Sequence, residues 1–334
     1  MAESLIGIDI GRSIARLACR DVDLRFITRS LPENIITNEG VSAPQVLADF
    51  FKSIRREEHL GTRNCALVLS DEMALFRHVS LPPMSISELK INLPFEFRDY
   101  ITDDPDNYVY DYAVDKMVKD EDGNLVRMEL FAAAARKNLI TALSEIFRRA
   151  GFKLKIVKPA PMAYMDLFRA LENTPLGTDV RNFVIVDIRH DRIPITLYQG
   201  THYESSRVAY MGCVDIDNAI SEAKGVDRHI AESYRADNFE GVLDGPECAA
   251  VYDSLVFEIS KVVNFYNFSN PDKEIDAIYL ASEGAGVPQL VSAVTDFFDY
   301  PVYPIRKLMG PEASSKEGAS MCALAYAGLF AGEA

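Results

Sequence analysis

Apolar and polar positions follow each other along the chain in the short runs and helical spacings that are typical of layered strands and helices. The N-terminal part predicts three strands with tight connections, then a helix opened by Ser42-Ala43-Pro44, then another buried strand. This alternation predicts an α/β fold. The predicted strands are 5–10, 14–20, 24–29, 65–69, 109–114, 125–133, 156–157, 183–188, 193–198, 278–280 and 301–303, and the predicted helices are 44–56, 85–100, 139–150, 161–172, one ending at 298, and 316–330, with a helix-rich stretch over 215–268.

One strand–turn–strand pattern occurs twice, in residues 5–19 and again in residues 183–198. Each copy is an apolar strand that delivers one carboxylate, Asp9 or Asp187, to a turn before a second strand. The copies lie half a chain apart, which predicts two similar domains. Carboxylates from two strand ends are suited to hold Mg²⁺, so we expect a cleft between the domains that holds a metal-bound phosphate.

The two turns differ at one position, where Gly11 of the first copy corresponds to Arg189 of the second. A glycine lets the backbone approach a phosphate closely, so Asp9, Gly11 and Ser13 fit a phosphate loop, although turns also use Asp and Gly for backbone reasons. One interpretation of the second turn is that either Arg189 or Arg192 contacts a phosphate directly. The alternative, which we favour at this stage, is that the loop has lost this contact and Arg192 is a solvated charge.

A third turn, at residues 282–286, lies between a predicted strand and a predicted helix. Its small residues Gly284, Ala285 and Gly286 would let a flat ring lie against the backbone and would point helix N–H groups at an anion. Tight strand-to-helix connections use glycine in any case, so this turn alone is weak evidence.

Composition excludes some classes of function. The chain has 334 residues and a net charge of −15, which argues against general nucleic-acid binding and against adsorption to an anionic membrane. Its five cysteines form no C-x-x-C pair, which favours a reducing compartment. No apolar stretch reaches membrane-spanning length and no signal peptide fits before the first strand, so we expect no direct membrane insertion.

Changes in the pattern of strands, helices and turns along the sequence predict three regions. Residues 1–76 and 157–176 form the first domain, and residues 77–156 form an inserted α+β subdomain marked by a capping box at Ser85 and an Asp-Gly hairpin turn. Residues 177–334 form the second domain, helix-rich over about 215–270, after an interdomain link at residues 173–177.

These motifs and their order resemble the actin-like ATPase superfamily. More closely, they resemble the PilM family of type IV pilus assembly proteins, relatives of the cell-division protein FtsA. The resemblance covers nearly the whole chain. It is carried by Gly7–Ser13, where Arg12 replaces the serine of a D-I-G-S-S loop, by Val79–Ile101 with its L-P-x-M-S…E-L…F-E…Y-I run, by Ala133–Lys137 and by Arg149–Phe152.

The resemblance implies a duplicated, ribonuclease H-like two-domain ATPase fold with an inserted α+β subdomain. It implies ATP and Mg²⁺ as ligands, with Asp9 and Asp187 at the metal. The residues expected at the nucleotide are Asp9, Gly11, Arg12, Ser13, Asp187, Gly212, Gly284, Ala285 and Gly286.

Three nucleotide-contacting turns depart from the family pattern. Arg189 replaces a glycine, Met211-Gly212-Cys213 replaces Gly-Gly, and Glu283 interrupts an S-G-G-G turn. The departures predict weak ATP binding with little or no hydrolysis, and we assign no catalytic residue.

The resemblance also implies a partner. PilM-like proteins are cytoplasmic, peripheral to the inner face of the cell membrane, and grip the cytoplasmic tail of a PilN-type protein between the first domain and the subdomain. Nine acidic residues lie from Asp99 to Asp122, against Lys116 and Lys119, so we expect attraction of a basic tail. The alternative is a solvated acidic loop. Homo-oligomerisation stays open.

Two other functions stay as alternatives at this stage. An FtsA-like protein would carry a basic amphipathic helix at its end, a pattern that this sequence does not have. A small-molecule kinase of the same fold would need an intact second phosphate loop and a catalytic base.

Overall fold

The computed structural model describes residues 4–21, 23–37, 40–171 and 181–330. Strands and helices alternate through most of these residues. The strands are β1 Ile6–Ile10, β2 Ile14–Arg20, β3 Leu24–Ser30, β4 Ile36–Thr37, β5 Gly40–Val41, β6 Asn64–Leu69, β7 Ala74–Leu81, β8 Tyr108–Lys119, β9 Leu125–Arg136, β10 Lys153–Pro159, β11 Asn182–Asp187, β12 Ile193–Gln199, β13 His202–Ala209, β14 Ala277–Ala281 and β15 Val302–Pro304. The helices are α1 Pro44–Glu57, α2 Ile86–Asn92, α3 Lys137–Ala150, α4 Ala160–Leu171, α5 Cys213–Lys224, α6 Arg228–Asp237, α7 Pro246–Ser269, α8 Pro288–Phe297, α9 Gly310–Ser314 and α10 Ala323–Ala327.

Two five-stranded sheets have the same topology. The first has the order β10-β6-β1-β2-β3 and the second the order β15-β14-β11-β12-β13. In each, the central strand pairs in parallel with one neighbour and antiparallel with its hairpin partner. The predicted duplication is therefore confirmed. It places Asp9 one residue before the end of β1 and Asp187 at the end of β11.

A three-stranded sheet, β7-β9-β8, forms the inserted subdomain together with α2. The predicted capping box is present, because Ser85 Oγ accepts from the Glu88 amide while the Glu88 carboxylate accepts from the Ser85 amide. The predicted helix is shorter than expected. It ends at Asn92 and tightens into a 3₁₀ turn over Leu93–Phe97, where Pro94 lacks the N–H that a longer helix needs.

The end of the predicted subdomain packs with the first domain. Helix α3 lies against α1, with Leu143 and Phe147 in the first-domain core, and β10 extends the first sheet by pairing with β6. The division into 1–76, 77–156, 157–176 and 177–334 stays a prediction. These contacts favour a narrower subdomain, residues 74–136.

The two sheets share an apolar core. Ala163, Leu167 and Phe168 of α4 pack in one buried cluster with Phe183 and Tyr198 of the second sheet. The cluster also takes in the small residues of α10. Burial between two sheets explains why this C-terminal segment is apolar on all sides.

Several sequence predictions of strands and helices differ from the structure. Strands β7 and β13 were not predicted, because their apolar residues do not alternate regularly. The helix predicted over 316–330 is reduced to α10 and a 3₁₀ turn at Gly328–Phe330, and Gly318 before it has a left-handed φ of 75°. The link predicted at 173–177 lies outside the described residues.

Candidate site in the interdomain cleft

The two predicted carboxylates meet in the cleft, and a guanidinium lies between them. Arg189 donates from Nη1 to Asp9 Oδ1 at 3.2 Å and from Nη2 to Asp9 Oδ2 at 3.1 Å. Its Nε donates to Asp187 Oδ2 at 2.8 Å. Asp9 is fully buried and Arg189 is 5% exposed. The arginine therefore joins the central strand ends of both domains.

A second buried arginine, Arg16 of β2, binds Asp9 from the other side. Its Nη1 lies 3.2 Å from Asp9 Oδ2 and its Nη2 lies 2.6 Å from Glu283 Oε1. Burial by itself lowers the pKa of Arg16, but Glu283 and Asp9 outweigh it and the pKa is raised. The same balance, with Asp187 and Asp9 as the opposing charges, raises the pKa of Arg189 well above its ordinary value. Both arginines are therefore permanently charged.

Sequence reasoning missed Arg16 and gave Glu283 no positive role. Arg16 interrupts the strand Ile14–Arg20, and a charged residue flanked by the apolar residues Ala15 and Leu17 was the available signal. Glu283 was noticed only as a departure from a glycine turn. In the structure the departures at Arg189 and Glu283 are both cross-cleft ion-pair partners.

A second layer of ion pairs closes the rim of the cleft. Arg12 lies 2.9 Å from Glu72 and 3.1 Å from Asp191. Arg192 lies 2.9 Å from Glu72 and 3.4 Å from Asp71. Arg192 is only 6% exposed, so its interpretation as a solvated charge was wrong.

The turn amides that would face a phosphate are bonded within the protein. Gly11 N donates to Ile14 O at 2.9 Å, and Arg189 N donates to Arg192 O at 3.0 Å. A Cβ at Gly11 would lie 3.0 Å from Arg16 Nη1, so the guanidinium lies over this turn.

The N-terminus of α5 also has an internal acceptor. Cys213 N donates to Arg189 O at 2.9 Å and Val214 N to His190 O at 2.8 Å. Gly212 packs directly on these two carbonyls, so a Cβ there would collide with them. The helix end that could bind an anion instead binds the second turn.

The remaining predicted residues border the cleft in different ways. Ser13 is half-buried and its carbonyl accepts from Leu31 N at 2.7 Å. Gly284 packs on Ile188 and donates to its carbonyl at 2.9 Å. Ala285 packs against the second-domain core, whereas Gly286 is exposed.

A cavity of about 630 Å³ opens beside this site. Arg12 and Ser13 line one wall, and Asp191, Asp217 and Glu232 line the other. Arg228 and His229 also line the second wall, and Asp191 and Asp217 are paired with arginines, so the wall has a mixed charge.

ATP with Mg²⁺ does not fit these residues. Both carboxylate oxygens of Asp9 accept hydrogen bonds from guanidinium groups. Of the two oxygens of Asp187, Oδ2 accepts from Arg189, and Oδ1 has no hydrogen-bond partner among the described residues. In the part of the chain that the structure describes, no group of three or more His, Cys, Asp or Glu side chains could hold a metal ion. The assignments of Asp9 and Asp187 as metal ligands stay predictions, and this geometry argues against them.

Two sheets of one topology, facing a shared cleft with an aspartate near the end of each central strand, define an actin-like ATPase fold. The chain is similar to ethanolamine utilization protein EutJ from Carboxydothermus hydrogenoformans, with 12% identity, a TM-score of 0.60 and coverage of 98% of this chain and 90% of that one. It is also similar to MreB5 of Spiroplasma citri bound to ADP, with 11% identity, a TM-score of 0.51 and coverage of 99% and 96%.

The sequence matches the family described as type IV pilus assembly protein PilM over residues 7–311, so the chain belongs to the PilM family. The solved PilM–PilN type IV pilus biogenesis complex has a similar chain, with 21% identity, a TM-score of 0.82 and coverage of 99% of this chain and 98% of that one. No curated protein matches at the significance required. Within the described ranges, no helix is both long and apolar enough to cross a bilayer.

Proposed function

We propose that this chain is a scaffold of type IV pilus assembly that binds the cytoplasmic tail of a PilN-type inner-membrane protein. The observation that carries the proposal is the family match, together with a fold that follows the chain in the PilM–PilN complex over nearly its full length. In this role the chain works in the cytoplasm and reaches the inner face of the membrane through its partner.

The groove between the first domain and the subdomain is the proposed seat of the tail. It contains a cavity of about 200 Å³. Ile36 and Gly40 line it from the first domain, Tyr100 and Tyr108 from the subdomain, and Leu139 from below. The charged side chains of Asp71, Glu72 and Arg136 also line it, and such a mixture of apolar, aromatic and charged groups suits a short peptide segment.

The acidic residues beside this groove differ in what they contact. Asp103 accepts from the Tyr108 hydroxyl at 2.8 Å and pairs with Arg136 at 3.2 Å, so it supports the subdomain. Asp104 and Asp106 are exposed. Their charges support the proposal that this rim attracts a basic tail.

The test is a charge-removal variant with a matched control. Asp104→Asn with Asp106→Asn should weaken binding of a fluorescent basic tail peptide about threefold to tenfold at low salt and reduce the salt dependence. The control, Glu121→Gln with Asp122→Asn, removes the same charge from the turn at the far end of the β8–β9 hairpin.

Anisotropy titrations across a salt series measure both effects. An equal loss of affinity in both variants contradicts local attraction, and an undetectable affinity of the unchanged protein for tail peptides contradicts the scaffold itself.

The proposed scaffold does not hydrolyse ATP. The fold supports the ATP and Mg²⁺ predicted from sequence, because a structure of similar fold is described as bound to ADP. The residues of the cleft do not fit these ligands.

Neither the FtsA-like alternative nor the kinase alternative is favoured by any contact in the cleft. In an ATPase assay we expect phosphate to be released no faster than in a control without the protein. Measurable turnover of ATP would contradict the proposal.

A further inference from the structure

We propose that five buried side chains replace the nucleotide in this protein, holding the two domains in one closed state without ATP. We call Asp9, Arg16, Asp187, Arg189 and Glu283 the buried network. In this arrangement an arginine takes the place of the expected metal ion. The proposal goes beyond the scaffold function and does not depend on it.

The charges of the buried network support the replacement. The guanidinium of Arg189 lies between Asp9 and Asp187, where the repeated hairpins predict Mg²⁺. The network as a whole contains three carboxylates and two guanidinium groups. One carboxylate is in excess, so an added triphosphate would meet a site that is already negative.

The connectivity of the network explains why it would hold the domains together. Arg189 of the second domain binds Asp9 of the first, and Arg16 of the first domain binds Glu283 of the second. Breaking the Arg16–Glu283 pair removes the ion-pair partner of the Glu283 carboxylate, and breaking the Arg189–Asp9 pair removes one of the two guanidinium groups at Asp9. Losing buried pairs of this kind is far more costly than losing an exposed pair.

Weaker pairs follow the same cleft toward solvent. Arg12–Asp191 at 3.1 Å lies at the rim, and Glu33–Arg228 at 3.1 Å lies further out. Each of these pairs also joins the first domain to the second. The closed state is therefore stabilised from the centre of the cleft to its edge.

The backbone supports the same conclusion independently of charge. The amides of Cys213 and Val214, at the start of α5, are bonded to the carbonyls of Arg189 and His190. A phosphate could take these donors only if the second turn moved away. Side chains and backbone therefore both occupy the position of the ligand.

The unchanged chain gives the first test. With ATP and Mg²⁺ at about 5 mM, we expect a shift in melting temperature below about 1 °C. The radius of gyration and the hydrogen exchange of residues 187–192 should also stay the same. A saturable rise in melting temperature, or compaction on adding ATP with Mg²⁺, would overturn the proposal.

A paired substitution gives the second test. Arg189→Gly with Glu283→Gly restores the glycines of the family pattern and should raise affinity for ATP with Mg²⁺ at least about tenfold, measured by calorimetry. It should also lower the melting temperature. A folded double variant with no gain in affinity would overturn the replacement of nucleotide by side chains.

A milder variant tests the closure even if the double variant fails to fold. Glu283→Gln keeps the shape of the side chain and removes the negative charge that faces Arg16. Hydrogen exchange at residues 187–192 should therefore rise. The control is Glu240→Gln, whose pair with Lys224 lies within the second domain. Equal exchange in both variants would overturn the closure.

Tail binding separates this proposal from the scaffold function. Affinity for the tail peptide should be the same within about twofold with and without ATP and Mg²⁺. A tail affinity that rises with nucleotide contradicts this inference, whereas absent tail binding contradicts only the scaffold function and leaves the nucleotide measurements to decide the rest.

Discussion

At the scale of single residues, the site depends on arginine and not merely on positive charge. Arg189 reaches three carboxylate oxygens with three of its nitrogens, a geometry that the single ammonium of a lysine does not offer. Arg16 likewise contacts carboxylates on two elements. Neither guanidinium loses its proton in the range of pH in which the protein is folded.

Loss of Arg16 should be costly. Arg16→Met leaves Asp9 and Glu283 with one fewer buried partner and should lower the free energy of unfolding by about 3–5 kcal/mol. Arg207→Met, on the exposed face of strand β13, should change it by no more than about 0.5 kcal/mol. Urea unfolding followed by circular dichroism measures both, and equal effects would contradict the assigned role of the buried pair.

Buried tyrosines should make the protein sensitive to alkali. Burial raises the pKa of Tyr164 and Tyr198 well above the ordinary value, with nearby Asp187 adding to the effect at Tyr164. The unfolded chain ionises its tyrosines near about pH 10, so it releases these protons while the folded chain keeps them. The contribution of these two tyrosines to the free energy of unfolding is therefore fully present below this pH and is lost as the pH rises above it.

The alkaline prediction is checked by unfolding at a series of pH values. Tyrosinate absorbance from these two residues should appear together with loss of circular dichroism. Tyr198→Phe, which removes one of the two groups, should make the fall in stability less steep. Ionisation of both residues before any unfolding would contradict the prediction.

The sequence could predict Asp9 and Asp187 because a strand-end aspartate repeated in two hairpins has a local signature. It could not predict that Arg16 and Glu283 meet, since their contact depends on how two domains face each other. Arg192 was misjudged for the same reason: its partners Asp71 and Glu72 come from a distant turn of the other domain.

At the scale of elements, glycine allows the C-terminal segment to approach the first sheet. A Cβ at Gly7 of β1 would collide with the carbonyl of Ala325 in α10. A Cβ built on Gly328 would lie 3.3 Å from Gly7 Cα. This close approach connects the central strand of the first domain to the end of the described chain.

Gly7→Ala should lower the free energy of unfolding by about 1–3 kcal/mol, because the added methyl forces α10 away from β1. Gly286→Ala is the matched control, since nothing lies within 4 Å of a Cβ there. Its stability should be unchanged. Chemical unfolding of the two variants side by side decides the matter, and a stable Gly7→Ala protein would contradict the packing described.

Most elements were predictable because periodicity and caps are local signals, as at the capping box of Ser85 and at Gly151, which ends α3 with a left-handed φ of 87°. Strand β13 was not, because it is an edge strand with few apolar residues. Its pairing with β12 supplies the stability that its own pattern does not indicate.

At the scale of the whole molecule, the two domains are joined by a common apolar core as well as by charge. The ring of Phe168 in α4 lies 5.3 Å from Phe183 and 5.2 Å from Tyr198 of the second sheet. Each domain has a buried apolar cluster of its own, and this third cluster packs between them, so separating the domains would expose it to water.

A shared core predicts one cooperative unfolding transition. Differential scanning calorimetry should give equal calorimetric and van't Hoff enthalpies. Phe168→Ala should lower the single melting temperature without splitting it, because the cavity affects both domains. Two separate transitions in the unchanged protein would contradict the shared core.

The position of Asp9 between two arginines changes how a loss-of-function phenotype is to be interpreted. In an actin-like protein, replacing the first-loop aspartate is the natural way to ask whether ATP is needed in the cell. Here Asp9→Ala would leave Arg16 and Arg189 facing each other without the carboxylate that both bind. A strain that loses its pili with this allele would report a disrupted protein, whatever the role of ATP. The double variant Arg189→Gly with Glu283→Gly disturbs the same network, so any allele in this cleft is informative for genetics only together with the melting temperature of the purified variant.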